Sequence, residues 1–139
     1  MINLNKRAEL AFEIAKQVAQ QSKYFKFHIG CVITYKGMVI ATGVNSDKTH
    51  PMQKEYNKYR IDSPDDYDAK CHAEIAALLH IKDKTLDPRK MCLYVYRIRK
   101  TKEFGMARPC PSCMQAIKDF GIRTIFYTTD DGYAEEHLF

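Results

Sequence analysis

Two runs, Met91-Cys92-Leu93-Tyr94-Val95-Tyr96 and Ile122-Arg123-Thr124-Ile125-Phe126-Tyr127-Thr128-Thr129, bracket Pro109-Cys110-Pro111-Ser112-Cys113-Met114, and these three stretches decide the fold. The first run is apolar on both alternations as far as Tyr96, as expected of a strand covered on both sides. Pro111 suits the first turn of a helix, where its missing N–H loses no hydrogen bond. Met114 and Ile117 then line an inner face, and Gly121 follows as a C-terminal cap. Strand, helix, strand in that order is a crossover, so the two strands are expected to lie parallel.

Upstream, Ala69 to Lys82 reads as a helix whose buried face carries Ile75, Leu78 and Leu79. Before it, Ile29-Gly30-Cys31-Val32-Ile33-Thr34-Tyr35 and Met38-Val39-Ile40-Ala41-Thr42 flank Lys36-Gly37, a hairpin signal. Leu4 to Gln21 places Leu10, Ile14 and Val18 on one stripe of an amphipathic helix that Asn3 or Asn5 can cap. Ser46 to Tyr67 is polar, with Pro51, Pro64, Asp62, Asp65 and Asp66, and is expected to be a long loop. Gly132 to Phe139 is expected to form a short final helix, leaving a fifth strand absent or shortened. The order α-β-β-α-β-α-β-α implies one α/β layered domain over residues 1–139.

Composition bounds the function. The 139 residues are 45% apolar and 28% charged, within the globular range and outside the disordered one. No stretch approaches the roughly 20 apolar residues of a membrane span. Met1-Ile2-Asn3-Leu4-Asn5-Lys6-Arg7 leads into mixed polar sequence, which is no secretory signal. The five cysteines, Cys31, Cys71, Cys92, Cys110 and Cys113, are an odd number, which argues for a reducing, cytoplasmic setting. A net charge of +5 suits an anionic small molecule or a nucleic acid equally.

Chemistry concentrates in two segments. Cys71-His72-Ala73-Glu74 opens one helix and Pro109-Cys110-Pro111-Ser112-Cys113 opens the next. An imidazole and two thiolates are ligands zinc prefers, and three protein ligands leave a fourth tetrahedral position open. The positive end of a helix dipole favours thiolates at Cys110 and Cys113. Glu74 is not needed as a ligand and can take the proton of a water activated by the metal.

This His-x-Glu and Pro-Cys-x-x-Cys pattern is the signature of zinc deaminases. With Ile29-Gly30-Cys31-Val32-Ile33 and Gly43-Val44-Asn45, the chain resembles the cytidine and deoxycytidylate deaminase superfamily, tRNA adenosine deaminases included, from about Ile29 to Tyr127. The resemblance implies a three-layer α-β-α cytidine deaminase-like fold, with a central mixed sheet of four to five strands flanked by helices. It implies zinc held by His72, Cys110 and Cys113, proton transfer by Glu74, and a homo-oligomer. The implied reaction is hydrolytic deamination of a cytosine nucleoside or nucleotide to its uracil form, with release of ammonia.

Asn45, Ala73 and Arg108 are the candidate substrate-binding residues. Asn45 lies where the superfamily contacts sugar or base, although Asn is also common at strand ends. Arg108 adjoins the zinc motif, where a guanidinium can grip phosphate or sugar. Two alternatives stand beside the leading one. His72-Ala73-Glu74-Ile75 and the basic, aromatic run Lys54 to Arg60 fit a base within tRNA or single-stranded nucleic acid. A non-catalytic structural-zinc module would need a fourth ligand such as Cys71, Cys92 or His137. Cys31, Cys71 and Cys92 otherwise read as packing residues, and His50 as a surface histidine or a substrate contact. Arg97, Arg99, Lys100 and Lys102 read as a phosphate patch or an exposed strand end.

Overall fold

A computed structural model describes residues 4–24, 27–59, 70–99 and 104–138. Helix α1 (Lys6–Ala19) is capped by Asn5, whose side chain accepts the Ala8 N–H at 2.8 Å. Strands β1 (His28–Tyr35) and β2 (Met38–Val44) form the expected hairpin. Lys36 and Gly37 both adopt positive φ, 51° and 88°, the twist that matches a two-residue hairpin. Helix α3 (Ala73–Leu79), strand β3 (Met91–Ile98), helix α4 (Pro111–Phe120) and strand β4 (Thr124–Thr128) follow, after a helix α2 described below. Pro111 starts α4 and Gly121 caps its end, and β3 and β4 pair in parallel across the crossover.

The sheet is five-stranded and mixed, in the order β2-β1-β3-β4-β5, where β5 is Tyr133–His137. Helix α1 covers one face, where Phe12 meets Val32, Tyr94 and Tyr96. Helices α3 and α4 cover the other, where Ile75, Leu78 and Ile117 meet Cys31, Ile33, Leu93, Val95 and Ile125. The period-two alternation of β1 and β3 feeds both cores at once. Two glycines let the helices settle against backbone. A Cβ on Gly30 would strike Ala15 and Ala19 of α1, and a Cβ on Gly43 would strike Ala73 and Ala77 of α3.

Three expectations are corrected. The C-terminal segment is a strand, not a helix, so the fifth strand is present: β5 pairs antiparallel with β4 from Thr128↔Tyr133 to Thr124↔His137. Thr129 sets the turn, its Oγ1 accepting from the Asp131 and Gly132 amides at 3.2 and 3.1 Å. The free edge of β4 offers backbone partners that override the helix preference of Ala134-Glu135-Glu136. Second, the presumed loop contains α2 (Pro51–Tyr56) and a 3-10 turn, Asn57–Tyr59. His50 is its cap, Nδ1 accepting the Met52 N–H at 3.0 Å. Third, α3 is shorter than the Ala69 to Lys82 expected, with His72 as its N-cap. Asp62, Pro64, Asp65, Asp66, Arg60, Ala69, Lys100 and Lys102, which figured in the loop, helix and basic-patch readings, lie outside the described residues. No described helix is long and apolar enough to cross a membrane.

Candidate active site

Helices α3 and α4 begin at the end of the sheet where β2 and β3 finish. Their N-cap residues are His72 and Cys110, both in extended conformation, and neither side chain bonds the amides of its own helix. The two side chains approach each other instead. His72 Nδ1 is 3.5 Å from Cys110 Sγ and 3.3 Å from Cys113 Sγ, and Cys113 sits one turn along α4 on the same face as Cys110. The three donor atoms lie within 4.8 Å of one another and can hold a metal ion. One nitrogen and two sulfurs suit zinc. Cys71, Cys92 and His137, the fourth ligands a structural site would draw on, are not in this group. Cys71 Sγ contacts the His72 carbonyl at 3.6 Å, and His137 pairs with Glu135 at 3.2 Å. Cys31 is a core residue.

The electrostatics fit cation binding. Cys110 is pulled down to about 3, chiefly by its hydrogen bond with Cys113 and further by His72 and Ser112. Burial pushes Cys113 well above the ordinary thiol range. The two titrate as a pair whose first proton leaves easily and whose second is held, and a divalent cation favours the loss of both. Glu74, in the first turn of α3 and only 5% exposed, has its carboxyl pushed up to about 7, chiefly by burial.

These groups floor a cavity of about 280 Å³. His72, Ala73, Glu74 and Cys110 form its base, Ile29 and Val95 are apolar walls, and Phe27, Asn45, Arg97, Met106, Ala107 and Arg108 complete the lining. The metal group and the cavity lining bring together His72, Glu74, Cys110, Cys113, Asn45, Ala73 and Arg108, but in differing ways. Asn45 spends its amide on the backbone, accepting the Ile29 N–H at 2.9 Å and donating to the Phe27 carbonyl at 3.1 Å. Arg108 donates to both carboxylate oxygens of Glu136, at 2.7 and 3.2 Å, while Tyr127 donates to the same Glu136 at 2.6 Å. Arg97 lays its guanidinium 5.0 Å from the Phe27 ring centroid, and its Nε is buried without a partner. It is a cavity residue rather than an exposed strand end.

Glu136 and Gln53 escape the sequence, because Ala134-Glu135-Glu136 reads locally as helix and the segment around Gln53 as loop, and Tyr127 escapes it because its partner Glu136 does. Their only sequence signal was indirect: a parallel β4 needs cover on its far edge, and Pro51 suits a helix start.

The family model of the cytidine and deoxycytidylate deaminase zinc-binding region matches residues 5–129. Comparison with curated protein sequences gives no match. Among solved structures, cytidine deaminase from Burkholderia pseudomallei is 17% identical, with a TM-score of 0.63 over 97% of this chain and 94% of its own. The dCMP deaminase of cyanophage S-TIM5 is 17% identical, with a TM-score of 0.61 over 90% of this chain and 84% of its own. RibD of Acinetobacter baumannii is 18% identical, with a TM-score of 0.52 over 86% of this chain but only 27% of its own. At these identities the structures establish the three-layer fold, the family model adds a zinc-binding region, and His72, Cys110 and Cys113 are a group that could hold the metal. The chain therefore belongs to the cytidine and deoxycytidylate deaminase family, zinc hydrolases that act on C–N bonds.

Proposed function

We propose that the protein deaminates a cytosine nucleotide, with His72, Cys110 and Cys113 as zinc ligands and Glu74 as the proton carrier. The observation that carries this reading is a buried carboxyl on the cavity floor beside the metal-binding group. Zinc, when bound, supplies the activation of water that hydrolysis of an amidine carbon needs. Glu74 accepts one proton of the attacking water and passes it to the ring nitrogen, then takes the remaining proton from the new C4 hydroxyl and delivers it to the amine, which leaves as ammonia while the carbonyl forms. A carboxyl in this position can both take up and return protons. Ile29 and Val95 exclude water from the base, and Phe27 offers an aromatic wall.

The nucleotide form is favoured by Arg97 in the lining, since the other lining guanidinium, Arg108, is already paired with Glu136. Arg97 keeps a buried Nε without a partner, which a phosphate oxygen can satisfy. A fold relative, the cyanophage S-TIM5 dCMP deaminase, has been crystallised with dCMP and dUMP. The polynucleotide alternative draws on the Lys54 to Arg60 run, but its Tyr56 hydroxyl donates to Asp119 at 2.9 Å and Lys58 pairs with Glu55 at 3.0 Å. Those groups are engaged within the protein, which weakens that reading. A homo-oligomer in the cytoplasm completes the proposal and fits five free cysteines.

The test is ammonia release by the zinc-loaded protein from cytidine, CMP, deoxycytidine, dCMP and single-stranded oligomers. Glu74→Gln should lower turnover by about 10²–10⁴-fold while zinc content stays at the wild-type level. Full activity in a zinc-loaded Glu74→Gln protein would remove the proposed mechanism. Preference for the nucleosides would remove the role given to Arg97, and turnover confined to oligomers would favour the polynucleotide reading.

A further inference from the structure

Gln53 lies on α2, outside both metal motifs, and its side chain is fully buried. A buried amide has one acceptor and two donor hydrogens to satisfy, and leaving them unmet costs free energy. Gln53 Oε1 accepts the backbone N–H of His72 at 3.0 Å. Its Nε2 donates to Asn57 Oδ1 at 2.9 Å and reaches Ser112 Oγ at 3.4 Å. The His72 amide is an obligatory donor, so the amide orientation of Gln53 is fixed by its surroundings: the oxygen must face His72 and the nitrogen must face Ser112.

Both contacts fall at sensitive points. His72 supplies the imidazole. Ser112, itself fully buried, stands between the two thiols, and its Oγ is 3.0 Å from Cys110 Sγ. A Ser112 oxygen that accepts from Gln53 has its own proton free to donate, and the nearby acceptor is the Cys110 sulfur. Gln53 thus ties the start of α3 to the first turn of α4 and directs one hydroxyl proton onto a metal-binding thiolate.

We propose that Gln53 is a positioning residue for the metal centre, setting the spacing of His72 from the two cysteines and aiming the Ser112 hydroxyl at Cys110. The inference rests on the reading of His72, Cys110 and Cys113 as zinc ligands. It goes beyond that reading by placing control of the site on a helix that neither motif contains. Partners of this kind commonly change metal affinity by about 10–100-fold when removed.

The experiment compares zinc-loaded wild type with Gln53→Met, which keeps the length and removes every hydrogen bond, and with Ser112→Ala. Three quantities are read: the rate at which a chelator strips zinc, the thiolate-to-cobalt charge-transfer band of the cobalt-substituted protein, and Tm. Zinc release should rise about 10-fold in Gln53→Met and less in Ser112→Ala, and the cobalt band should shift in both. A merely structural glutamine would lower Tm while leaving the release rate and the cobalt band at wild-type values, and that result overturns the proposal. If Gln53→Met fails to fold, Ser112→Ala decides: faster release with a shifted band supports it, and wild-type values for both overturn it. Wild-type protein that takes up no zinc would sink the metal reading itself, an outcome visible before any variant is compared.

Discussion

The two faces of the sheet are built from different materials. Beneath α1 the core is aromatic: Phe12 meets Tyr133 at 4.5 Å and Tyr94 at 5.4 Å between ring centroids, and Tyr94 stacks on Phe126 at 4.7 Å. Beneath α3 and α4 the large side chains are mostly aliphatic, among them Ile33, Ile75, Leu78, Leu93, Ile117 and Ile125, while close backbone approach occurs on both faces, at Gly30 under α1 and at Gly43 under α3. Large rings bury much area and tolerate helix spacing set by their own bulk. Small residues let backbones approach, so helix starts can be brought within reach of one ion. Both faces hold the molecule together, and the aliphatic one also carries the helix starts that bring the metal donors to one point.

Removing the central ring of the first face should have the largest effect on stability. Phe12→Ala should cost about 3–5 kcal/mol in denaturant unfolding, while the folded fraction strips zinc at the wild-type rate. Accelerated zinc loss in that folded fraction would show that the faces are coupled after all.

The paired glycines sharpen the contrast at a smaller scale. Gly30→Ala and Gly43→Ala each force a methyl against helix backbone, and each should cost about 1–3 kcal/mol by overpacking. Their zinc affinities should diverge. Gly43→Ala pushes on Ala73, the residue between His72 and Glu74, and should weaken zinc binding; Gly30→Ala should not. Equal zinc affinities, measured by competition with a chelator, would contradict the division of labour.

The smallest effect concerns the cavity rim. Glu136 is held below the usual carboxylate range, chiefly by its hydrogen bond from Arg108, with Tyr127 adding to it. A carboxylate lowered in the folded state stabilises above its unfolded pKa, and that contribution is lost as pH falls through the folded value. Glu136→Gln should therefore cost at most about 1 kcal/mol near neutral pH, and the gap to wild type should close in the acid range. Urea titrations at several pH values check this, and a gap that persists in acid would assign the loss to packing instead.

What the sequence discloses follows the range of the forces involved. The β3–α4–β4 unit was legible because each part carries a local signal: apolar alternation, Pro111 at a helix start, Gly121 at its end. The metal group was legible because its donors are rare residue types at short spacing. Helix α2 was hidden because its buried side chain is an amide, Gln53, which adds nothing to an apolar stripe. Strand β5 was hidden because its order comes from pairing with β4, while Ala134-Glu135-Glu136 locally favours a helix. The fate of Asn45 was likewise decided by distant backbone, the Phe27 carbonyl and the Ile29 amide, which no local pattern announces.

The donor set also acts as a checkpoint on folding. Cys110 and Cys113 belong to one helical turn and can meet as soon as α4 forms, but the imidazole arrives from a helix 38 positions earlier, with the whole of β3 between. Closing that loop requires β3 to be in place and both helices docked on one face. Until then the imidazole is not held against the two sulfurs, so the preorganised donor set belongs to the finished molecule. A metal bound by all three donors would therefore favour chains that have completed the crossover, coupling zinc loading to folding.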